Sequence, residues 1–192
     1  MCCSLQIFFN FMIMLIAKRF RPYYTYNDYC QWEGKWELIE GMPYAMNQAL
    51  EPYYQNINGN VYLNFHEAFK KSCKKYKLYP SIDWKISEDT VVQPDMVIVC
   101  GKIDKEFLDF TPAIVAEVLL LATASKDRGE KMELYLSQKV KYYLIVDPQF
   151  KKIEVYELMN NQYEPVAVNP DTYIFSLEED CITEVSFTDI WE

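Results

Sequence analysis

The feature of this sequence that most constrains its fold is a pair of apolar runs in the middle third, each containing one acidic residue. Residues 91–99 contain Asp95 directly after a proline, and residues 113–121 contain Glu117. Runs this rich in Val, Ile and Leu are typical of buried strands, where a lone carboxylate is costly unless a partner compensates it. Two carboxylates in neighbouring strands, with Lys131 close behind, can hold a divalent metal against a phosphodiester. The alternative is that each acid lies at a strand end in water.

The order of the predicted elements indicates an α/β domain in which helices pack on a mixed sheet. A capping-box pattern at Thr25 and Asp28 starts a first helix, and a second one places Asp127 as the N-cap of a helix that runs to about Gln138. Apolar residues at three- and four-residue steps predict a long helix at about 51–75. The predicted strands and hairpins lie at 36–46, 78–86, 91–99, 113–119, 141–147 and 152–168, the last turning at Asn160-Asn161.

Charge is unevenly distributed along the chain, which has a formal net charge of −9. Residues 153–192 hold ten acids and no Lys or Arg, so residues 1–152 hold 28 − 10 = 18 acids against 19 bases, a net of +1. This weakens the electrostatic objection to a nucleic-acid partner without supplying a basic patch. The lysines that end the long helix favour a solvated face, with phosphate contact as the alternative. They are Lys70, Lys71, Lys74, Lys75 and Lys77.

Cysteine and histidine offer few candidates for other chemistries. The six cysteines form no Cys-x-x-Cys pair and His66 is the single histidine, which argues against a zinc site. A histidine-dependent nucleophilic mechanism would have to use His66, whose neighbours predict a helix. Unpatterned cysteines are typical of free thiols in a reducing cytoplasm, so we expect a cytoplasmic location.

Residues 1–22 are predicted to form an apolar N-terminal extension, and residues 23–192 the domain, which has an acidic C-terminal part. The apolar run over the first seventeen residues is too short to span a bilayer comfortably. Lys18 and Arg19 follow it in place of a small-residue cleavage site. We therefore expect no stable membrane association and a segment that is dispensable for folding. A weak membrane anchor is the alternative.

Five stretches carry a family resemblance through their order and spacing: Tyr24–Tyr29, Trp36–Gly41, Glu88–Asp95, Gly129–Lys131 and Tyr143–Pro148. They resemble the Uma-two (Uma2) family of bacterial restriction endonucleases, within the PD-(D/E)xK nuclease superfamily, over about residues 23 to 168. The resemblance implies a restriction-endonuclease-like fold, to which the residue pattern adds a C-terminal β-hairpin. It also implies a metal-dependent endonuclease that hydrolyses phosphodiester bonds in DNA. The expected partners are DNA, as substrate, and a second copy of the chain in a homodimer.

The resemblance also assigns catalytic residues. Asp95 corresponds to the Asp of the Pro-Asp element and Glu117 to the second acid, so both would bind Mg²⁺ or Mn²⁺. The superfamily's lysine normally lies two residues after that acid, where this chain has Leu119. The resemblance transfers the role to Lys131 on the next helix, with Lys126 as the second candidate. An ordinary exposed helix lysine is the alternative for Lys131.

Two further residues are candidates for supporting roles, and the chain differs from the family pattern at two places. Glu37 in the first predicted strand is a candidate metal ligand or water-orienting group, and Gln55 is a candidate support at the start of the long helix. The family often has a histidine before this glutamine, whereas Tyr54 stands here. It also usually has Ser-Pro-Ser where this chain has residues 120–122, Leu-Leu-Ala. A catalytically degenerate, non-enzymatic relic of the nuclease fold is therefore the alternative function.

Overall fold

The computed structural model describes residues 21–46, 51–178 and 181–192, so the predicted extension lies almost wholly outside the described residues. The described chain divides into two compact units. The first comprises residues 21–46 and 86–92, and the second comprises residues 51–85, 93–178 and 181–192. The predicted division at residue 22 stays a prediction. Within these ranges, no helix combines the length and apolar character needed to cross a bilayer.

Four helices and twelve strands make up the regular structure of the described residues. The helices are α1 (Tyr26–Tyr29), α2 (Pro52–Ser72), α3 (Ala124–Arg128) and α4 (Glu130–Ser137). The strands are β1 (Trp36–Ile39), β2 (Met42–Ala45), β3 (Tyr76–Pro80), β4 (Trp84–Ser87), β5 (Thr90–Val92), β6 (Met96–Cys100), β7 (Ile114–Val118), β8 (Tyr142–Asp147), β9 (Lys152–Met159), β10 (Gln162–Val168), β11 (Thr172–Ser176) and β12 (Ile182–Ser186).

The first unit is organised by the predicted capping box and hairpin, and both are confirmed. The backbone N–H of Thr25 donates to the Asp28 carboxylate at 2.8 Å, which satisfies one amide at the start of α1. Strands β1 and β2 pair antiparallel around Glu40 and Gly41, which have φ angles of 48° and 77°. Gly41 accepts this left-handed conformation without a steric penalty. The sheet of this region has the order β2-β1-β5-β4.

The second unit contains a six-stranded mixed sheet in the order β10-β9-β8-β7-β6-β3, which confirms the predicted fold class. Strands β7 and β8 run parallel and the other pairs run antiparallel. Since parallel strands need a crossover, α3 and α4 connect β7 to β8. Strands β9 and β10 form the predicted hairpin, and Asn160 and Asn161 both have positive φ, as a tight type I′ turn requires.

One face of this sheet packs against α2 and forms the apolar core. Alternate residues of β7 (Ile114, Ala116 and Val118) point into it, because side chains in a strand alternate between faces. From α2, Phe65 contacts a second hairpin, β11 and β12, which is called the C-terminal hairpin from here on and is distinct from the predicted β9–β10 hairpin. The Phe65 ring centroid lies 5.2 Å from that of Phe175. The acidic C-terminal part therefore contributes an apolar inner side to the core.

Two predicted strands and one predicted cap differ in the structure. The run 91–99 is two strands, β5 in the four-stranded sheet and β6 in the six-stranded sheet, because Pro94 between them cannot donate a ladder hydrogen bond. The run 78–86 is also divided, at Ser81 with its φ of 45°. Asp127 is not an N-cap. It lies inside α3, and Gly129 separates that helix from α4.

The expectation of free cysteines is wrong for one pair. Cys73, at the C-terminal end of α2, forms a disulfide with Cys181, just before β12, across 108 residues of sequence. Both are buried, whereas Cys30 and Cys100 are exposed free thiols. The two cysteines are brought together by the packing of the C-terminal hairpin on α2, so their spacing in the sequence does not predict the disulfide. The cytoplasmic location stays a prediction.

Candidate active site

Strand pairing brings the two predicted acids side by side in the second unit. Met96 of β6 pairs with Ala116 of β7, and one further step of this antiparallel register places Asp95 opposite Glu117. The Asp95 carboxylate accepts a hydrogen bond of 2.8 Å from the backbone N–H of Val118, the residue after Glu117. Two acids that are 22 residues apart in sequence therefore occupy opposing strand positions at one end of the β6–β7 pair.

Glu117 faces the side of the sheet opposite the apolar core, where α4 supplies its partners. Lys131 Nζ lies 2.5 Å from Glu117 Oε1, and the Tyr135 hydroxyl donates to the same oxygen at 2.6 Å. Lys131 and Tyr135 are four residues apart and so share one face of α4. Glu117 is 4% exposed and Lys131 2% exposed, so the alternative of an ordinary exposed lysine is wrong.

A second carboxylate completes the surroundings of the lysine. Asp127 Oδ1 lies 3.5 Å from Lys131 Nζ, and Asp127 Oδ2 accepts a hydrogen bond of 3.1 Å from Thr123 Oγ1. The buried ammonium therefore lies near two buried carboxylates. Removing one member of such a group leaves an uncompensated charge, which is much more costly than losing an exposed ion pair.

Buried aromatic side chains enclose this ionic group. The Tyr135 ring stacks on Trp84 with centroids 5.8 Å apart and meets Tyr143 edge-on at 5.1 Å. The Tyr143 hydroxyl donates to the backbone oxygen of Asp127 at 2.9 Å. Burial raises the pKa of Tyr143 well above its ordinary value, and the nearby Glu117 charge adds to the effect. Tyr143 therefore stays protonated and holds the end of α3 in place.

Two residues of this centre were missed or undervalued by sequence reasoning. Asn58 of α2 donates from Nδ2 to Asp95 Oδ1 at 3.3 Å, a contact across 37 residues that no local pattern indicates. Tyr135 is fully buried and donates to Glu117, a role that the sequence analysis did not assign. Its four-residue spacing from Lys131 is the signal that could have suggested one.

A more exposed ionic cluster follows on the same face of the sheet. The register from Glu117 through Ile145 to Glu154 places Glu154 of β9 on the side of Glu117. Arg128 and Lys152 approach its carboxylate at 2.5 and 2.9 Å. Partial burial opposes ionisation of Glu154, but the hydrogen bonds and charges of these two residues outweigh it and lower its pKa.

The other residues named in the sequence analysis belong to different helices and strands. Gln55 is exposed in the first turn of α2, and Lys126 is half-buried in α3. Leu119 is buried directly after β7. Glu37 is fully buried in β1 of the first unit. The structure thus brings Glu117 and Lys131 into contact and sets Asp95 at the opposing strand position, while the roles of all six predicted site residues stay predictions.

The donor chemistry of the two acids, Asp95 and Glu117, suits a hard divalent cation. Across the described ranges, no group of three or more His, Cys, Asp or Glu side chains is arranged to hold a metal ion. Mg²⁺ keeps several waters and is commonly bound by one or two carboxylates together with substrate phosphates, so two acids are enough for such a site, and metal binding by Asp95 and Glu117 stays a prediction. Oxygen donors without His or Cys favour Mg²⁺ or Mn²⁺ over Zn²⁺.

Comparison with known proteins agrees with this architecture. The sequence profile of the Uma2 family, described as "Putative restriction endonuclease", matches residues 25–188. The chain belongs to the Uma2 family. This confirms the resemblance and extends it beyond residue 168, through β11 and β12, whereas no curated protein matches the chain.

A solved structure shares the fold of this Uma2 member. It is described as "a putative nuclease belonging to DUF820" from Anabaena variabilis, and it superimposes with a TM-score of 0.67 at 14% sequence identity. The match covers 87% of this chain and 97% of that chain. At this identity the similarity shows a common fold, and the restriction-endonuclease-like fold class is confirmed.

Proposed function

We propose that this protein is a Mg²⁺- or Mn²⁺-dependent endonuclease that hydrolyses phosphodiester bonds in DNA. The observation that carries the proposal is the 2.5 Å contact between Lys131 Nζ and Glu117 Oε1, in a strand register that sets Asp95 opposite Glu117. The lysine from α4 thereby reaches the acid that Leu119, in the usual lysine position, cannot serve. This arrangement supports the assignment of two acids and a lysine that the family resemblance implies.

In this proposal each group of the candidate active site has its own role. A divalent cation held by Asp95 and Glu117 would lower the pKa of an attacking water and neutralise charge on the phosphodiester oxygens. Lys131 supplies a compact positive charge that orients this water or stabilises developing negative charge. Tyr135 fixes the Glu117 carboxylate, while Asn58 and the Val118 N–H fix that of Asp95.

One observation favours the alternative of a non-enzymatic relic. Glu117 and Lys131 are almost fully buried and already neutralise each other, so they form a complete structural pair without a cation. A core ion pair can be retained for folding alone. The two alternatives differ in what they predict for Asp95, which is only half-buried and lies opposite Glu117 in the strand register.

A cleavage assay separates the two candidates. The wild-type protein is incubated with supercoiled plasmid, linear duplex DNA, single-stranded DNA and RNA, with Mg²⁺, with Mn²⁺ or with EDTA. We expect metal-dependent DNA cleavage that is lost in Asp95→Asn and kept in Asp109→Asn, a matched change at an exposed aspartate paired with Lys105. Cleavage by Asp95→Asn at the parent rate contradicts the assignment. A folded wild-type protein that cuts no substrate with either metal favours the relic.

A further inference from the structure

A cavity of about 440 Å³ lies between α2 and β3 of the second unit, away from the Glu117–Lys131 pair. Its lining combines positive charge with partly accessible rings. The lysines are Lys70, Lys74 and Lys77, and the half-buried rings are Tyr62, His66 and Tyr79. We call this cavity the basic aromatic groove. It includes three of the lysines whose sequence pattern left open a solvated face or a contact with phosphates.

The rings of the groove are arranged as a platform. Tyr62 and His66 stack with their centroids 5.8 Å apart and their planes inclined by 20°. On the β3 side, the Tyr79 hydroxyl accepts a hydrogen bond of 3.4 Å from the backbone N–H of Ile103, which restrains its ring. Flat rings that are held in place and partly accessible can stack on an unpaired base, whichever base it is.

The lysines of the groove differ from a neighbouring lysine on α2. Lys71 lies within 3.9 Å of Glu67 on the outer side of the helix. By contrast, Lys70, Lys74 and Lys77 are exposed and form no ion pair with any residue in the described ranges. Three uncompensated ammonium groups beside an aromatic platform match the phosphates and bases of a nucleic-acid strand.

The groove is connected to the candidate active site through α2. Asn58, which donates to Asp95, is followed at four-residue steps by Tyr62, His66 and Lys70. Residues four apart are neighbours on a helix surface. Three such steps span roughly 18 Å at 1.5 Å per residue, and the row turns around the helix by about 120°. The row of residues that starts at the Asp95 contact therefore leads along and around α2 to the aromatic rings and then to the lysines.

We infer that the basic aromatic groove binds a single strand of nucleic acid leading away from the Asp95 end of the candidate active site. The inference deepens the proposed function and rests on it for the choice of nucleic acid over other anions. A single strand fits because its bases can stack on Tyr62 and Tyr79 while its phosphates meet the lysines. In a duplex the bases are stacked and paired inside, so the rings of the groove cannot reach their faces.

The experiment measures binding without cleavage. Fluorescence anisotropy in EDTA follows a labelled oligothymidylate, its RNA counterpart and a duplex of the same length. One variant replaces the three groove lysines by Gln, and the matched control makes the same change in net charge at exposed lysines elsewhere, Lys102, Lys105 and Lys151. A third variant, Tyr62→Leu, removes one ring and keeps apolar bulk. Melting curves of all variants verify that they are folded.

We expect the groove variant to bind oligothymidylate at least about tenfold more weakly, and the control to change affinity by less than about twofold. The slope of the logarithm of the binding constant against the logarithm of the salt concentration should also become shallower, by about 0.7 for each lost phosphate contact. Tyr62→Leu should weaken single-strand binding about tenfold and leave duplex binding unchanged. Equal weakening in the groove and control variants, or no single-strand binding by the wild type, overturns the inference.

The result is independent of whether the protein cuts. Groove-dependent binding by a protein that never cleaves DNA with Mg²⁺ or Mn²⁺ supports the groove and contradicts the proposed function. Metal-dependent cleavage with unchanged affinity in the groove variant supports the proposed function and overturns the groove. A preference for the RNA strand supports the groove and identifies RNA as its ligand.

Discussion

The two faces of the six-stranded sheet are built from the same strands but depend on different interactions. On the α2 face, Ile114, Ala116 and Val118 of β7 pack into an apolar core. On the α4 face, Glu117 of the same strand meets Lys131 and the Tyr135 hydroxyl. The comparison shows that a strand with an almost continuously apolar sequence can bury a charge. It can do so on the one face where another element supplies charged and hydroxyl partners.

The largest expected effect concerns the attachment of the C-terminal hairpin to the α2 face. Replacing Cys73 and Cys181 by Ser removes a cross-link that closes a loop of 108 residues. Loop-closure entropy predicts that the free energy of unfolding falls by about 4–5 kcal/mol, as measured by urea denaturation. Cys100→Ser, at an exposed free thiol, is the control and should change little. A loss below about 1 kcal/mol would show that the cross-link does not stabilise the folded chain.

The next effect tests whether the α4 face depends on paired charges. Lys131→Met leaves the Glu117 carboxylate buried without its cation and should lower the free energy of unfolding by about 3–5 kcal/mol. Adding Glu117→Gln should restore much of that loss, because the double variant buries no uncompensated charge at this pair. Denaturation of the wild type, both single variants and the double variant gives the coupling energy. Strictly additive losses would contradict the interpretation of the pair as one electrostatic unit.

A smaller effect is expected for the hydroxyl that completes the Glu117 environment. Tyr135→Phe removes a donor to a buried, charged oxygen and should cost about 1.5–3 kcal/mol. Tyr163→Phe removes a hydrogen bond to the backbone oxygen of Val140, a neutral acceptor, and should cost about 0.5–1.5 kcal/mol. Thermal or urea denaturation of both variants and the wild type measures the two losses in the free energy of unfolding. A larger loss in Tyr163→Phe would reverse the predicted order.

The smallest effect concerns pH and the more exposed cluster of the α4 face. The folded-state pKa of Glu154 lies below its ordinary value of 4.5, since Arg128 and Lys152 outweigh partial burial. Its stabilising contribution is therefore complete above that ordinary value and is lost as the pH falls through the lower folded-state pKa. Glu154→Gln should destabilise the protein at neutral pH and make the acid limb of the stability curve shallower. Glu164→Gln, at an exposed position in β10, is the control, and an equal change there would contradict the role of Glu154.

Local signals in the sequence were sufficient for much of the fold. The capping box at Thr25 and the asparagine pair at the β9–β10 turn each involve residues close in sequence, so their geometry follows from their own chemistry. The periodicity of α2 likewise indicated its buried face. The position of Asp127 was misjudged because the capping-box pattern does not account for Gly129, which starts a new helix two residues later.

The candidate site required information beyond local pattern. Asp95 and Glu117 came from their unusual context and from family resemblance. Lys131 was noted for its position close behind them, but its catalytic role came from the resemblance. The partners of these residues were not predictable, because Asn58 approaches Asp95 only through the packing of α2 on the sheet. The disulfide depends in the same way on contacts between elements that are distant in sequence.

The most direct test of the central claim is a metal titration followed by thermal unfolding. If Asp95 and Glu117 hold the cation together, Mg²⁺ or Mn²⁺ should raise the melting temperature, since a ligand that binds only the folded state stabilises it by about 2.7 kcal/mol at a hundredfold excess over its Kd. Asp95→Asn should abolish the rise, and Asp109→Asn should retain it. An identical rise in the wild type and in Asp95→Asn would contradict the assignment of the metal site.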